Sequence, residues 1–209
     1  MAASRARIGV LALQGDFAAH KHMLSLLGVR ACEIRHPDQL PGLAGLILPG
    51  GESTTLLKLM DQEPAWWQAL PAFHRRGGAL LGTCAGIIML AYGVHGPEQR
   101  SLGLLDIDVE RNAYGRQIDS FEVAARWQDG RPLEMVFIRA PRIVRTGPAV
   151  EVLASHGGNP VLVREEFVLG ATFHPELGND RSVHRFFLAM IAAANTRPAR
   201  AGEPSAPVV

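Results

Sequence analysis

The sequence predicts an α/β protein with a doubly wound, mostly parallel sheet, helices on both of its faces and an antiparallel extension. In the first half of the chain, short apolar runs typical of buried strands alternate with helical segments, and the strand-to-helix junctions are short. Between residues 106 and 172 the helices stop, and short β-like runs follow one another. This change predicts added antiparallel strands on the same sheet rather than a separate domain.

Composition narrows the possible classes of function. The chain has 209 residues, enough for one compact domain, which we predict at residues 1–196. Hydrophobic residues make up 47% and charged residues 20%, as in ordinary soluble globular proteins. A net charge of +1 with scattered arginines gives no basis for binding nucleic acid or an anionic membrane. Residues 197–209, rich in proline and alanine and without apolar periodicity, predict a disordered tail.

Cysteine usage and the apolar runs indicate a cytoplasmic protein. Two cysteines, Cys32 and Cys84, argue against a disulfide framework and for a reducing compartment. No signal-peptide pattern opens the chain, and no apolar run reaches the ~20 residues needed to cross a bilayer. Neither cysteine has the spacing of a metal ligand, and His20 and His22 would not face the same way on a helix. We therefore predict neither a metal nor a cofactor.

The elements of the first half follow from apolar runs and the turns between them. Apolar runs predict strands at residues 8–13, 29–35, 45–48 and 79–81, with Cys32 interpreted as a core residue of the second. Helical spacing predicts helices at residues 17–27, 56–61, 64–75 and 87–91, and Gly28 is a plausible C-cap of the first.

The second half of the chain is predicted to consist of strands followed by one helix. Short β-like runs lie at residues 107–109, 121–123, 135–138, 150–153, 160–163 and 167–172. The closing helix is predicted at residues 180–194, and helical spacing gives it a buried face of five apolar residues: Val183, Phe186, Phe187, Met190 and Ile191.

The pentapeptide Gly82-Thr83-Cys84-Ala85-Gly86 is placed where a nucleophile would be exposed on a sharp strand-to-helix turn. Small flanking residues tolerate the strained backbone of such a turn. The following helix directs amide groups and a partial positive charge at the sulfur, which favours a thiolate. A buried structural cysteine on a glycine-rich turn is the alternative, and these five residues alone leave it open.

A second glycine-rich loop, residues 49–55 (Pro-Gly-Gly-Glu-Ser-Thr-Thr), follows the third predicted strand. Its amides suit an anion, but it lacks the spacing of a phosphate-binding loop, and a simple tight turn is the alternative. Ligands of doubly wound sheets bind at the carboxyl ends of the strands. Gln14-Gly15, Gly50-Gly51 and Cys84 all follow strands, so we expect them to converge at one edge of the sheet.

The tetrapeptide Phe-His-Pro-Glu, residues 173–176, supplies groups that a cysteine nucleophile needs. His174 is a candidate base and Glu176 a candidate group to orient it. Residues two apart in an extended segment point to the same side, and Pro175 restricts the backbone between them. Taken alone, the tetrapeptide favours a structural turn after a strand.

Together these three motifs resemble the class I, or triad, glutamine amidotransferases, which have a flavodoxin-like fold. More narrowly, the chain resembles the glutaminase subunits of two-component pyridoxal 5′-phosphate synthases from about residue 8 to about residue 193. Five blocks carry this resemblance: residues 8–15, 48–55, 109–112, 117–122 and 137–141. The sequence departs from the family pattern at Ala19, where relatives often carry an acidic residue before the histidine, and in the tail after Arg197.

The resemblance implies that the protein hydrolyses L-glutamine to L-glutamate and ammonia with a Cys84–His174–Glu176 triad. It places glutamine contacts on Gly51, Glu52, Ser53, Arg111, Ile138 and Arg139. Without it, Arg111 and Arg139 would be interpreted as solvated surface residues. Oxyanion stabilisation would come from backbone amides near Gly51 and Ala85. Gly50 would permit a peptide flip, and Gln14 would respond to partner contact.

The resemblance also implies a partner, a (β/α)₈-barrel synthase subunit in a large hetero-oligomeric ring, that receives the ammonia for vitamin B6 biosynthesis. Three alternatives remain open at this stage. A glutaminase of another ammonia-channelling synthase would keep the triad but lose the blocks around Arg111 and Arg139. A thiol protein of the same topology would not need the His-Pro-Glu segment. A catalytically silent interaction module would have lost at least one triad residue.

Overall fold

The computed structural model describes residues 6–111 and 121–196. These residues form twelve strands: β1 (Arg7–Leu11), β2 (Ala31–Ile34), β3 (Leu43–Leu48), β4 (Ala79–Thr83), β5 (Ala91–His95), β6 (Leu105–Glu110), β7 (Phe121–Arg126), β8 (Pro132–Phe137), β9 (Arg142–Thr146), β10 (Glu151–His156), β11 (Asn159–Glu165) and β12 (Val168–Ala171). The α-helices are α1 (Phe17–Leu26), α2 (Ser53–Gln62), α3 (Trp66–Arg75), α4 (Ala85–Leu90) and α5 (Ser182–Thr196). The predicted tail at residues 197–209 and the blocks' residues 112 and 117–120 lie outside the described residues.

A seven-stranded sheet organises the fold, in the order β10-β11-β12-β4-β3-β1-β2. The neighbours from β12 to β2 are all parallel, whereas β10, β11 and β12 pair antiparallel. The predicted mostly parallel α/β sheet with an antiparallel extension is therefore confirmed. Because the parallel strands run the same way, their carboxyl ends lie along one edge.

Each face of this sheet carries its own apolar core, because successive strand residues point to opposite sides. In β3, Leu46 and Leu48 pack in one core with side chains of α2, α3 and α4. Ile47, between them, packs in the other core with side chains of α1 and α5. Helices on both faces are thus confirmed. Of the five residues predicted for the buried face of α5, only Phe186 is incompletely buried.

Part of the antiparallel prediction was wrong. Only β10 and β11 extend the main sheet; β5, β6 and β9 form a separate three-stranded sheet, and β7 pairs with β8 as a hairpin. The side chains of β6 explain the difference, because Leu105, Ile107 and Val109 are buried in the core that covers one face of the main sheet. The sheet of β5, β6 and β9 therefore lies on one face of the main sheet as a second layer instead of continuing its edge.

Two strands were missed, and one predicted core residue packs against the core but is only partly buried. The helix predicted to reach residue 91 ends at Leu90, where Ala91 turns extended (ψ 153°) and begins β5. Strand β9 carries two arginines and a threonine, so its sequence lacks an apolar pattern. Cys32, predicted as core, is only half-buried, and its thiol donates to the Ile8 carbonyl at 3.4 Å.

Candidate active site

Four adjacent strands of the main sheet deliver the predicted site residues to one edge. Gln14 follows β1, Gly50 follows β3, Cys84 follows β4 and His174 follows β12, and these strands are neighbours in the order β12-β4-β3-β1. The loops touch one another: the Asp16 amide donates to the Gly50 carbonyl at 3.3 Å. A Cβ built on Gly50 would lie 2.4 Å from His174 Cε1 and 3.2 Å from Cys84 Cβ. The expected convergence is confirmed.

Cys84 occupies a strained turn between β4 and α4. Its φ is 46° and its ψ is −103°, a conformation that side-chain-bearing residues rarely adopt. The Cys84 amide donates to the Ala171 carbonyl at 2.9 Å, which ties the turn to β12. A Cβ on Gly82 would meet the Gly86 backbone at 2.7 Å, and one on Gly86 would meet the Leu48 carbonyl oxygen at 2.0 Å. Both flanking glycines are therefore required by close backbone packing.

His174 and Glu176 form a buried dyad next to this cysteine. His174 Nδ1 and Glu176 Oε1 are 2.7 Å apart, and both residues are buried. The His174 amide donates to the Val136 carbonyl at 2.8 Å, so β8 as well as β12 fixes the histidine. With Nδ1 bonded to the carboxylate, the other ring nitrogen is available to exchange a proton with the cysteine.

The dyad favours a charged imidazole. Burial lowers the pKa of His174, but its hydrogen bonds with Cys84 and Glu176 outweigh burial and raise the pKa to about 10. Burial raises the pKa of Glu176, but its interactions with His20 and His174 outweigh burial and leave the pKa below its ordinary value. An imidazolium at neutral pH beside Cys84 stabilises the thiolate, the nucleophilic form of cysteine.

The loop after β3 is held by Gln14 and Thr83. Gln14 Oε1 accepts a hydrogen bond from the Glu52 amide at 3.1 Å, and a Cβ on Gly51 would lie only 2.3 Å from that oxygen. Gly51 also has a φ of 140°, which suits glycine alone. The Gly50 amide donates to Thr83 Oγ1 at 3.0 Å. The C=O of Gly50 and the N–H of Gly51 belong to one trans peptide group and point in opposite directions. Because the Gly50 carbonyl accepts from the Asp16 amide, the Gly51 N–H points away from Asp16.

All six residues expected to contact glutamine line one cavity with the cysteine and the histidine. The cavity has a volume of about 170 Å³. Its lining comprises Asp16, Gly51, Glu52, Ser53, Cys84, Ile88, Arg111, Ile138, Arg139, Pro141 and His174. Cys84 Sγ lies 3.8 Å from the Ile138 carbonyl oxygen, so the segment after β8 forms the wall next to the nucleophile.

The cavity carries two guanidinium groups and two carboxylates. Arg111 is 9% exposed and its Nη2 is 3.9 Å from Glu52 Oε1, whereas Arg139 is exposed and has a φ of 45°. Glu52 also caps α2, since its carboxylate accepts from the Thr54 amide at 3.4 Å. An amino acid bears one carboxylate and one ammonium, so a cavity with charges of both signs suits it.

Sequence reasoning missed three polar residues at this edge. Asp16 Oδ2 lies 3.6 Å from His174 Nδ1, and Asp16 lines the cavity. Thr83 binds the Gly50 amide, and His20 Nε2 lies 3.3 Å from Glu176 Oε2. Asp16 follows Gln14-Gly15 and Thr83 precedes Cys84, so adjacency along the chain was an available signal. No sequence pattern connects His20 with Glu176, because only folding brings α1 to the dyad.

One group of side chains among the described residues has donor atoms close enough for a metal ion. These atoms belong to Asp16, His174 and Glu176 and lie within 4.8 Å of one another. The His174–Glu176 hydrogen bond already uses two of them. The proton-transfer arrangement therefore accounts for this cluster without an ion. Within residues 6–111 and 121–196, no helix is both long and apolar enough to cross a membrane.

An activated cysteine beside a His–Glu dyad attacks acyl carbons, and here it lies at the carboxyl edge of a parallel sheet. Such an arrangement is typical of cysteine-dependent acyl-transfer enzymes of α/β fold. Comparison with known sequences is more specific. The chain belongs to the SNO glutamine amidotransferase family, whose sequence model matches residues 10–193.

The most informative relatives cover nearly the whole chain. A Koribacter versatilis protein named pyridoxal 5′-phosphate synthase subunit PdxT is 51% identical over 191 residues, 91% of this chain and 98% of the relative. A protein of the same name from Deinococcus radiodurans is 50% identical over 192 residues, 88% and 96% of the two chains. A crystal structure described as a glutamine amidotransferase superposes with a TM-score of 0.83 at 49% identity, covering 88% and 98%. Both levels of the resemblance inferred from the sequence are confirmed.

Proposed function

We propose that Cys84, His174 and Glu176 are the triad with which this glutamine amidotransferase hydrolyses L-glutamine. The observation that carries the proposal is the 2.7 Å contact of the His174–Glu176 dyad beside a cysteine held at a φ of 46°. Its test is steady-state release of glutamate and ammonia from glutamine by the protein and by single variants of the three residues.

In the proposed reaction His174 gives up a proton in the first half and takes one back in the second. Cys84 Sγ attacks the carboxamide carbon of glutamine, and the carbonyl π electrons move onto oxygen to give a tetrahedral oxyanion. When the C–N bond breaks, the departing nitrogen takes a proton from His174 and leaves as ammonia, and a thioester remains on Cys84. His174 then removes a proton from water, which attacks the thioester. Collapse releases glutamate and restores the cysteine.

The backbone supplies the candidates for the oxyanion hole. Ala85 is the first residue of α4, so its amide has no acceptor within the helix, and it directly follows Cys84 in the chain. Gly51 is the second candidate, and each such donor typically contributes ~3–4 kcal/mol to the transition state. The Gly50 amide donates to Thr83 in this conformation. We therefore propose that Gly50 serves as the hinge of the loop, not as a donor.

We propose that Arg111 and Arg139 bind the α-carboxylate of glutamine, because a guanidinium presents a planar fork of donors to a carboxylate. Glu52 would face the α-ammonium, since its carboxylate lies 3.9 Å from Arg111 in the same cavity. Ser53 and the backbone at Gly51 and Ile138 complete the contacts, consistent with their place in the cavity lining. The carboxamide would then extend toward Cys84.

Replacing either arginine by alanine is expected to lower kcat/KM for glutamine about 10- to 100-fold, the loss of a charged hydrogen bond of ~1.5–3 kcal/mol. Lysine should restore only part of the loss, since it lacks the fork. Glutaminase kinetics check this, and Arg76→Ala, at an exposed position beyond α3, is the matched control. Unchanged kcat/KM in both alanine variants would refute the binding assignment.

The ammonia released by this glutaminase serves pyridoxal 5′-phosphate formation, and the protein acts as one subunit of a two-component synthase. We propose that its partner is a (β/α)₈-barrel subunit and that the two assemble as a large ring. We place the reaction in the cytoplasm, because Cys32 and Cys84 are both free thiols and a reducing compartment keeps them so. The domain proposed for this role spans residues 1–196.

We propose that the partner docks at the sheet edge that bears Gln14, Gly50 and Cys84 and thereby switches hydrolysis on. Gln14 is suited to transmit docking because its Oε1 holds the Glu52 amide at 3.1 Å, while its buried Nε2 has no hydrogen-bond partner among the described residues. Partner contact at Gln14 would reorient the neighbouring peptide and complete the oxyanion hole.

The switch predicts a much lower glutaminase rate for the isolated chain than for the complex. Gln14→Ala should lower the stimulated rate about tenfold or more, as expected when an oxyanion donor is misplaced, while the complex still assembles. Rates with and without the synthase subunit, together with analytical ultracentrifugation of the mixture, test both statements. Gln68→Ala, at an exposed position of α3, is the control. Equal rates with and without partner would refute the switch.

A further inference from the structure

A buried polar cluster lies behind the triad and has no part in the chemistry described above. It consists of His20 on α1, Thr83 at the end of β4 and His184 on α5, each with 0% of its surface exposed. Burying such groups costs free energy unless they are hydrogen-bonded. None of the three lines the cavity that contains Cys84. Any effect of these three residues on the reaction must therefore pass through residues that do line the cavity.

The contacts form one continuous path from the Gly50 loop to the His174–Glu176 dyad. His20 Nδ1 lies 2.9 Å from His184 Nε2, and His20 Nε2 lies 3.1 Å from Thr83 Oγ1. The same His20 Nε2 is 3.3 Å from Glu176 Oε2. Thr83 Oγ1 in turn accepts from the Gly50 amide at 3.0 Å, and Glu176 Oε1 contacts His174.

One arrangement of ring protons gives Glu176 Oε2 a donor and leaves neither histidine with a buried N–H that lacks an acceptor. Glu176 Oε2 is a buried acceptor that makes no standard hydrogen bond among the described residues, so the nitrogen facing it at 3.3 Å must carry a proton. If His20 Nε2 is protonated, neutral His20 has a lone pair on Nδ1, which accepts from His184 Nε2–H. The remaining nitrogen, His184 Nδ1, then carries a lone pair, and it is the atom without a partner in the described chain.

The opposite arrangement is unfavourable at both ends. With His20 protonated on Nδ1, its Nε2 lone pair would face a carboxylate oxygen, and His184 would bury an unpaired N–H, which is rare in proteins. Neutral rings fit the surroundings of both histidines. Burial lowers the pKa of His20 although Glu176 opposes it, and burial lowers the pKa of His184 to about 3. Asp16 and His174 are the other titratable groups that act on His20.

We propose that His20 is a positioning residue for glutamine hydrolysis, whose Nε2–H is shared between Glu176 Oε2 and Thr83 Oγ1. It thereby orients the triad carboxylate and, through Thr83, the Gly50 peptide of the oxyanion loop. His184 fixes the tautomer of His20 by donating to Nδ1. The inference rests on the proposed role of Glu176 in the triad, and it assigns α1 and α5 a function in catalysis beyond packing.

The kinetic test compares His20→Ala, His20→Gln and Thr83→Val with the wild-type protein in the complex with its synthase subunit. His20→Ala should lower kcat about 10- to 100-fold, the loss of a hydrogen bond to a charged group, and change KM less than about threefold because His20 does not touch the cavity. His20→Gln should restore part of kcat, since its amide N–H can reach the same acceptors. Thr83→Val should also lower kcat. His22→Ala, exposed on the same helix, should leave kcat unchanged.

The spectroscopic test needs no variant that has to fold. In ¹⁵N-histidine-labelled wild-type protein near neutral pH, long-range ¹⁵N–¹H spectra should show His20 and His184 as neutral rings protonated on Nε2. A His20 ring protonated on Nδ1, or on both nitrogens, would overturn the assignment, as would a folded His20→Ala with wild-type kcat. A wild-type complex inactive on glutamine would instead remove the triad proposal, so the two failures are distinguishable.

Discussion

Cys84→Ala is expected to abolish glutamine hydrolysis, with kcat falling about 10⁴-fold or more, as when the nucleophile of a covalent mechanism is removed. The reason is that no other described thiol reaches the cavity: Cys84 lines it beside His174, whereas Cys32 lies on β2 and donates to the Ile8 carbonyl. Glutamate release in the presence of the synthase subunit measures the loss. Cys32→Ala is the matched control and should keep wild-type kcat.

Covalent labelling tests the same assignment without a variant. A glutamine analogue with an electrophile in place of the carboxamide should form one adduct, on Cys84, because the imidazolium of His174 favours the thiolate there. Peptide mass mapping locates the adduct, and excess glutamine should protect against it. Labelling of Cys32 instead, or full activity in Cys84→Ala, would contradict the proposed mechanism.

Glu176→Gln is expected to lower kcat by about 10²- to 10⁴-fold, as replacing the carboxylate of a triad by an amide does. The carboxamide keeps the shape of the side chain but removes the negative charge 2.7 Å from His174 Nδ1. Since that charge raises the pKa of His174, the pKa should fall from its value of about 10 toward the ordinary range. The imidazolium would then be lost at lower pH than in the wild-type protein.

Histidine NMR titration and the pH dependence of Cys84 alkylation measure this shift. The sign is fixed: a group that stabilises the charged imidazole raises its pKa, so removing that group moves the midpoint down. Glu151→Gln, which removes an exposed carboxylate paired with Arg164, is the control and should leave both curves unchanged. An unshifted His174 midpoint in Glu176→Gln, or an undiminished kcat, would refute the role of Glu176.

The parts of the site that the sequence predicted are those encoded by local patterns. The turn at Cys84 requires Gly82 and Gly86 for backbone packing, so its geometry is written in five consecutive residues. His174 and Glu176 are two apart in an extended segment, which places both side chains on one side. The alternation of strands and helices then assigned the loops to one sheet edge, because parallel strands share their carboxyl ends.

Resemblance to a family supplied what local patterns could not. Nothing in the spacing of Arg111 or Arg139 distinguishes a substrate contact from a surface residue, and the blocks around them carried the prediction. The structure places both in the cavity with Cys84. It also shows why the spacing of these arginines in the sequence could not indicate a shared site. Arg111 follows β6 and Arg139 follows β8, and these strands belong to two different small sheets that meet only in the fold.

Only the tertiary structure decided how the middle strands pack and what lies behind the triad. An apolar run predicts burial but does not identify the partner strand, so β6, β7 and β8 were assigned to the main sheet although they belong to two other sheets. The contact of His20 with Thr83, Glu176 and His184 joins α1, β4 and α5 with the loop after β12. The sequence by itself determined where Cys84, His174 and Glu176 lie at the sheet edge, because short-range backbone geometry fixes these positions. Long-range contacts between buried polar groups depend on how distant elements dock, and no local pattern records that.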